Sequence, residues 1–245
     1  MKKRTLVICL LGSILFGSIG YLGYGQTTKE LLGKMIDAQG GRKVLSAIKD
    51  TTISGAIDMI QMGISGSFTM YMKEPDKMRM DMEFMGRIIT QAFDGEKAWA
   101  TDPQSGTQQE MPPKMTDEMR RQSLGNDSQL NPEKYGITFA AKGKEKIQGK
   151  DYFVLEQIFK GGQKVTMYLD PATYLIYMTK GKATDQATGA EVDAETFYSD
   201  YKKVGDSVVA HAMAVHQNGA EAVHLTFTKV VYNTSLQGSF FKMSK

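Results

Sequence analysis

Between residues 68 and 84 the chain alternates apolar and polar side chains on both sides of one tight turn. Phe68, Met70 and Met72 alternate with Thr69, Tyr71 and Lys73. Glu74-Pro75-Asp76 makes the turn, and Met78, Met80, Met82 and Phe84 then alternate with Arg79, Asp81 and Glu83. A helix would scatter these apolar side chains around its circumference, whereas a strand places residues i and i+2 on one face. The stretch is predicted as an antiparallel hairpin with one apolar and one polar face. Further strand-like runs cover residues 87–93, 96–101, 152–160, 163–169, 174–180, 195–202, 207–217 and 220–231. Gln217-Asn218-Gly219-Ala220 suits a two-residue hairpin turn, because Asn and Gly tolerate the positive φ it needs. The expected fold class is mainly β: one antiparallel sheet of about ten strands, wide enough that it must curl to hide its apolar face.

The helical signals are few. Thr27 and Glu30 form a capping-box pattern, followed by Leu31, Leu32, Met35 and Ile36 at helical spacing. Gly40-Gly41 suits a left-handed helix end, and residues 42–48 give a second short helix. Between 103 and 150 the alternation fades. That region reads as an insertion broken by Pro112-Pro113 and Asn131-Pro132, with a short helix capped by Thr116, and a loop of such length is usually functional or mobile. Residues 26–245 are therefore expected to form a single domain with an insertion around 103–150.

Residues 1–25 read as a cleaved secretory signal peptide. Lys2, Lys3 and Arg4 precede an apolar run from Leu6 to Leu22, and Gly23 and Gly25 supply a small-x-small exit. The competing reading is a retained anchor, which the four glycines at 12, 17, 20 and 23 disfavour. Cys9 lies near the start of the apolar run and follows Ile8, so it does not have the position of a lipidated cysteine. The leader holds three of the 30 basic residues, none of the 27 acidic ones and the only cysteine. The mature chain is thus neutral and thiol-free. Neutrality removes the electrostatic basis for nucleic-acid binding, and the absence of thiols suits an oxidising compartment.

No catalytic residue, metal site or cofactor is expected. There is no HExxH, and the spacing Gly143…Gly149-Lys150-Asp151 is not a phosphate-binding loop. Gly63 to Ser67 lacks the second glycine of a nucleophile elbow. An ideal turn at Asn218-Gly219 places His211 and His224 on one solvated sheet face, opposite Val223, Leu225 and Phe227. Acidic pairs such as Asp76/Asp81 and Glu191/Asp193 fall in turns or on polar faces. The compositional oddity is methionine, with Met59, Met62, Met70, Met72, Met78, Met80, Met82 and Met85 crowded together. Core packing explains them most simply. A deformable lining for variable apolar guests also fits, because unbranched thioethers re-pack at little cost. Copper(I) binding is disfavoured by the lack of a nearby His or Cys.

One stretch runs from Lys73-Glu74-Pro75-Asp76 through Asp94-Gly95-Glu96-Lys97-Ala98-Trp99 to Pro103. It resembles the LolA-like outer-membrane lipoprotein-sorting proteins, in which a K-x-P turn is followed by D-G-x-x-x-W and then a proline. Ala38-Gln39-Gly40-Gly41, Phe197 to Asp206 and Val230-Val231-Tyr232-Asn233 fit the same pattern, so the resemblance spans nearly the whole mature chain. It implies a half-barrel, a strongly curved antiparallel sheet with helices on its concave face. It also implies a non-catalytic, monomeric periplasmic carrier that binds lipoprotein acyl chains or other lipids, with inner-membrane donor and outer-membrane acceptor proteins as partners. Residues 53–72 contain no arginine, so the strand arginine that helps lock such carriers has no counterpart. The expected lining is Phe68, Met70, Met72, Met78, Met80, Met82 and Phe84, with Phe93 and Trp99 added; Pro75, Asp94, Gly95, Trp99 and Pro103 carry the motif. Two other functions compete with it: a cell-envelope structural or lipid-sensing module that binds a protein partner, and a hydrolase within 103–150.

Overall fold

The capping box at Thr27 forms. The Glu30 backbone N–H donates to the Thr27 hydroxyl, and the Glu30 carboxylate accepts from the Thr27 backbone N–H at 2.9 Å. It starts helix α1 (Thr28–Ala38), which buries Leu31, Met35 and Ile36. Gly40 follows at φ 125°, and a Cβ there would stand 2.8 Å from the Asp206 carbonyl oxygen. The glycine thus permits both the corner and the close approach. Helix α2 (Gly41–Ala47) comes next. The structure is a computed structural model describing residues 26–185 and 188–244, so the predicted leader lies outside the described residues.

The strands are β1 (Asp50–Met59), β2 (Ile64–Lys73), β3 (Lys77–Phe84), β4 (Arg87–Phe93), β5 (Ala98–Thr101), β6 (Gln108–Glu110) and β7 (Thr138–Ile147). They continue as β8 (Lys150–Ile158), β9 (Lys164–Leu169), β10 (Ile176–Thr184), β11 (Glu191–Val204), β12 (Ser207–Gln217) and β13 (Ala220–Tyr232). Helices α3 (Pro113–Gln122) and α4 (Asn126–Leu130) lie between β6 and β7. All thirteen strands join one open sheet in the order β6-β5-β4-β3-β2-β1-β13-β12-β11-β10-β9-β8-β7. Every recorded pairing is antiparallel, and β13 returns to pair with β1.

Helix α3 shows that the sheet curls. Its Met119 packs on Met78, Phe93 and Ala98, while its Glu118 carboxylate accepts from the Thr184 backbone N–H of β10 at 2.9 Å. Seven strand spacings separate β4 from β10. On a flat sheet that distance is about 34 Å, whereas a ten-residue helix is only about 15 Å long. One short helix can touch both strands only if the sheet bends around it. The helices therefore occupy the concave face, as expected for a half-barrel.

The region 103–150 is more regular than its sequence suggests. It supplies β6, α3, α4 and all of β7. The expected cap at Thr116 is not one: α3 begins at Pro113, where a missing N–H costs nothing, and the Thr116 hydroxyl donates to the Met111 carbonyl. β7 escapes the alternation test because it is an edge strand. Its outer half reads Lys142-Gly143-Lys144-Glu145-Lys146, and the register shifts between Ala141 and Gly143. Lysines and a bulge blunt such an edge against pairing with another chain.

A second bulge overturns the expected histidine arrangement. The Asn218-Gly219 turn forms with positive φ at both residues, and Gln217 faces Ala220. The register then slips by one residue between Val215 and His216, so that Met213 opposes Leu225 and Ala214 opposes His224. One residue of slip exchanges the two faces of a strand. His211 and His224 therefore lie on opposite faces, and His211 is buried, with Nδ1 2.9 Å from the Val209 carbonyl oxygen.

A third irregularity lies between Ser54 and Gly55, where β1 slips against β13. A Cβ on Gly55 would fall inside the contact distance of the Thr226 backbone carbonyl. Gly55→Ala is expected to destabilise the fold by about 1–3 kcal/mol, the usual cost of overpacking. A lowered urea midpoint with unchanged slope would show it; an unchanged midpoint would contradict the close approach.

Candidate functional site

Cross-strand pairing assembles the predicted lining on the concave face. Phe68 faces Met82, Met70 faces Met80 and Met72 faces Met78. Met78 also faces Phe93. Phe84 follows Met82 by two residues on the same face and packs on the cluster around Ile53, Ile57, Phe68, Leu225 and Phe227. These eight residues do different things. Phe68 is core, Met78 and Phe93 are sealed under α3, and Met80, Met82 and Phe84 pack against the central cluster. Of these eight, Met70 and Met72 line the cavity described next, whereas Met80, Met82 and Phe84 are half-buried. Met62 and Met85, part of the methionine-dense stretch, are exposed at hairpin turns.

Trp99 is on the other face. It opposes Ala92, which opposes Arg79. Its indole N–H donates to the Phe241 carbonyl at 2.9 Å, and the Arg79 guanidinium lies over both the Trp99 and Phe240 rings. Trp99 therefore anchors the C-terminal segment on the convex side and does not belong to the lining. The remaining motif residues shape turns. The Asp94 carboxylate accepts from the Glu96 and Lys97 backbone N–H groups, Gly95 has φ 99°, and the Pro75 carbonyl accepts from the Gly125 N–H. Pro103 lies in the turn whose Asp102 carboxylate accepts from the Gln104 and Ser105 N–H groups.

A cavity of about 320 Å³ separates the sheet from α1, α2 and α4. Ile53, Met70, Met72, Met213, Phe227 and Val230 form its sheet wall, and Leu45, Ile48, Gln39, Asn126 and Gln129 form its helix wall. A smaller space of about 160 Å³ shares Ile48, Thr51, Met72, Asn126 and Gln129 with it. That space adds Asp50, Lys73, Glu74 and Ser123, so the apolar cavity adjoins a smaller polar space beside the β2–β3 turn. Among the described residues no three His, Cys, Asp or Glu side chains gather as metal ligands would.

Helix α4 lines both spaces, and carboxylates help hold it. Glu74 accepts from the Asn126 N–H at 2.6 Å and the Asp127 N–H at 3.3 Å. The Arg42 guanidinium donates to the Leu130 carbonyl at 2.7 Å. Burial pushes the Glu74 carboxyl above its ordinary range despite these bonds. Hydrogen bonds from Lys134, then Tyr135 and Asn131, hold Asp127 down at about 2. The two groups act oppositely on stability. Glu74 binds its proton more tightly when folded, so its contribution is full below 4.5 and is lost as pH rises through the folded value. Asp127 contributes above 3.8, and its contribution is lost as pH falls towards 2. Glu74→Gln keeps an acceptor oxygen but cannot ionise. Its urea midpoint should therefore gain on the parent's between about pH 4 and about pH 7. A midpoint difference that stays constant over that range would refute the assignment.

No protein-family model and no curated protein matches the chain. Solved structures do. A LolA superfamily protein from Nitrosomonas europaea superposes with a TM-score of 0.59 at 13% identity, covering 89% of this chain and 98% of its own. A DUF1329 family protein from Desulfovibrio piger gives 0.58 at 15% identity, covering 89% and 98%. A domain described as an outer membrane lipoprotein-sorting protein from Vibrio parahaemolyticus gives 0.54 at 18%, covering 88% and 95%. With its open, curled thirteen-stranded antiparallel sheet and helices on the concave face, the chain has the LolA-like fold.

Proposed function

We propose that the chain is a non-catalytic, monomeric carrier of the periplasm. It holds an acyl chain of a lipoprotein or another lipid in the cavity between sheet and helices, for delivery to the outer membrane. An inner-membrane donor and an outer-membrane acceptor protein are its partners in this reading. The observation that carries it is the apolar cavity itself, walled by Met70, Met72 and Met213 and adjoined by a polar space. Burying an acyl chain gains roughly 0.8 kcal/mol per methylene, and thioether walls adapt to chains of different length. At about 320 Å³ the cavity is near the lower end of ligand pockets, which run from roughly 300 to 1,000 Å³. It therefore suits a single chain, with the headgroup towards the polar space beside Lys73. Titration with a fluorescent fatty acid tests this: saturation at one equivalent per chain is expected, and no saturable binding would sink the proposal.

A further inference from the structure

A second hollow lies at the opposite ends of β10 and β11. The cavity touches Ile176 and Tyr201, whereas a groove of about 580 Å³ between α3 and the β8–β9 hairpin touches Thr184 and Glu191. The two share no lining residue. Val165 and Gly181 face each other across β9 and β10, and with Ala183 they give the groove a floor of small and apolar groups. Lys114, Asp117, Glu118 and Arg121 recur at helical spacing along one side of α3 and form its wall. Three of these four are committed. The Lys114 ammonium donates to the Gly189 carbonyl at 3.0 Å, and Asp117 pairs with Arg120 at 2.6 Å. The Glu118 carboxylate accepts from the Thr184 N–H at 2.9 Å and from the Gln122 amide at 3.1 Å.

Arg121 is the exception. It is half-buried, borders the groove, and has no hydrogen bond, ion pair or ring contact among the described residues. A helix usually offers a cation the carboxylates three and four residues back. For Arg121 these are Glu118 and Asp117, both engaged elsewhere. The strand lysines around the groove are engaged too: Lys164 with Glu156, Lys180 with Glu195 and Lys182 with Asp193. One permanently charged fork of donors is thus left over beside an apolar floor, and its planar geometry matches two oxygens of a carboxylate or phosphate. We propose that the groove is a second binding site, separate from the acyl cavity, for a small organic oxyanion. Arg121 grips the phosphate ester or carboxylate group, and the apolar part of the ligand lies against Val165 and Ala183. This site does not depend on the carrier reading.

Calorimetric titration of the full mature chain with hexyl phosphate, hexanoate and hexanol tests it, because the three share one apolar tail and only the first two are anions. At least one anion is expected to saturate at one equivalent and to bind at least about tenfold tighter than hexanol, the difference a charge-assisted hydrogen bond makes. Arg121→Gln should abolish that preference and Arg121→Lys should keep part of it. Arg87→Gln removes the same charge from an exposed position outside the groove and should leave the preference intact. Inorganic phosphate and phosphatidylglycerol vesicles identify the source of the oxyanion. Arg121-dependent binding of phosphate marks a free solute, Arg121-dependent binding of vesicles alone marks a lipid headgroup, and either upholds the site. Affinities equal to that of hexanol for both anions, or a preference that Arg121→Gln leaves intact, would overturn the proposal. Circular dichroism confirms that the variants fold, as expected for a side chain with no intramolecular partner to lose.

Discussion

Met70→Arg is expected to weaken binding of a long-chain acyl probe at least about a hundredfold while the protein still folds. Met70 lies between Ile53 and Met80 on neighbouring strands and borders the cavity directly. A guanidinium there either stays in the apolar space, where the charge is poorly solvated, or reaches across the cavity and fills it. Met70→Leu keeps volume and apolarity and should retain binding within a few-fold. Met80 looks equivalent in the sequence but is not. It packs on the central cluster without bordering the cavity, so Met80→Arg is expected to lower stability rather than to block cargo selectively. If Met70→Arg binds the probe as the parent does, the cavity is not where the chain resides.

Trp99→Ala should cost about 3–5 kcal/mol, among the largest single-residue effects in the protein. The side chain is buried, its N–H is paired with Phe241, and its ring supports Arg79 and the C-terminal turn. Trp99→Phe keeps the apolar body and loses the hydrogen bond, so its cost should be smaller. Urea unfolding followed by circular dichroism measures both. Trp99 is also the only tryptophan. Because it stands on the convex face, its emission should stay unchanged when cargo fills the concave cavity. A marked shift on binding would place it back among the lining residues.

Much of the fold was legible because strand alternation is a local signal. The hairpins around Glu74-Pro75 and Asn218-Gly219, and the capping box at Thr27, appear where the residues predict them. What was not legible depends on partners distant in sequence. β7 carries apolar residues at its start and at Ile147, but Lys142 to Lys146 between them is a solvated edge. The slip near Val215 leaves no mark in composition, yet it reverses which face His211 occupies. Trp99 was ambiguous because β5 has only four residues, too few to fix a face by alternation. For the site, methionines on one face were readable, but which of them border space depends on where α3 and α4 sit. Helix α4 has five residues and takes its position from Glu74, more than fifty residues earlier in the chain.

The carrier account is tested most directly by mass spectrometry of an organic extract from protein purified out of a periplasm, parent beside Met70→Arg. It predicts a co-purifying amphiphile with an acyl chain, at up to one molecule per chain, present in the parent and absent from the variant. A parent that yields no lipid, or a variant that yields the same lipid in the same amount, would contradict it.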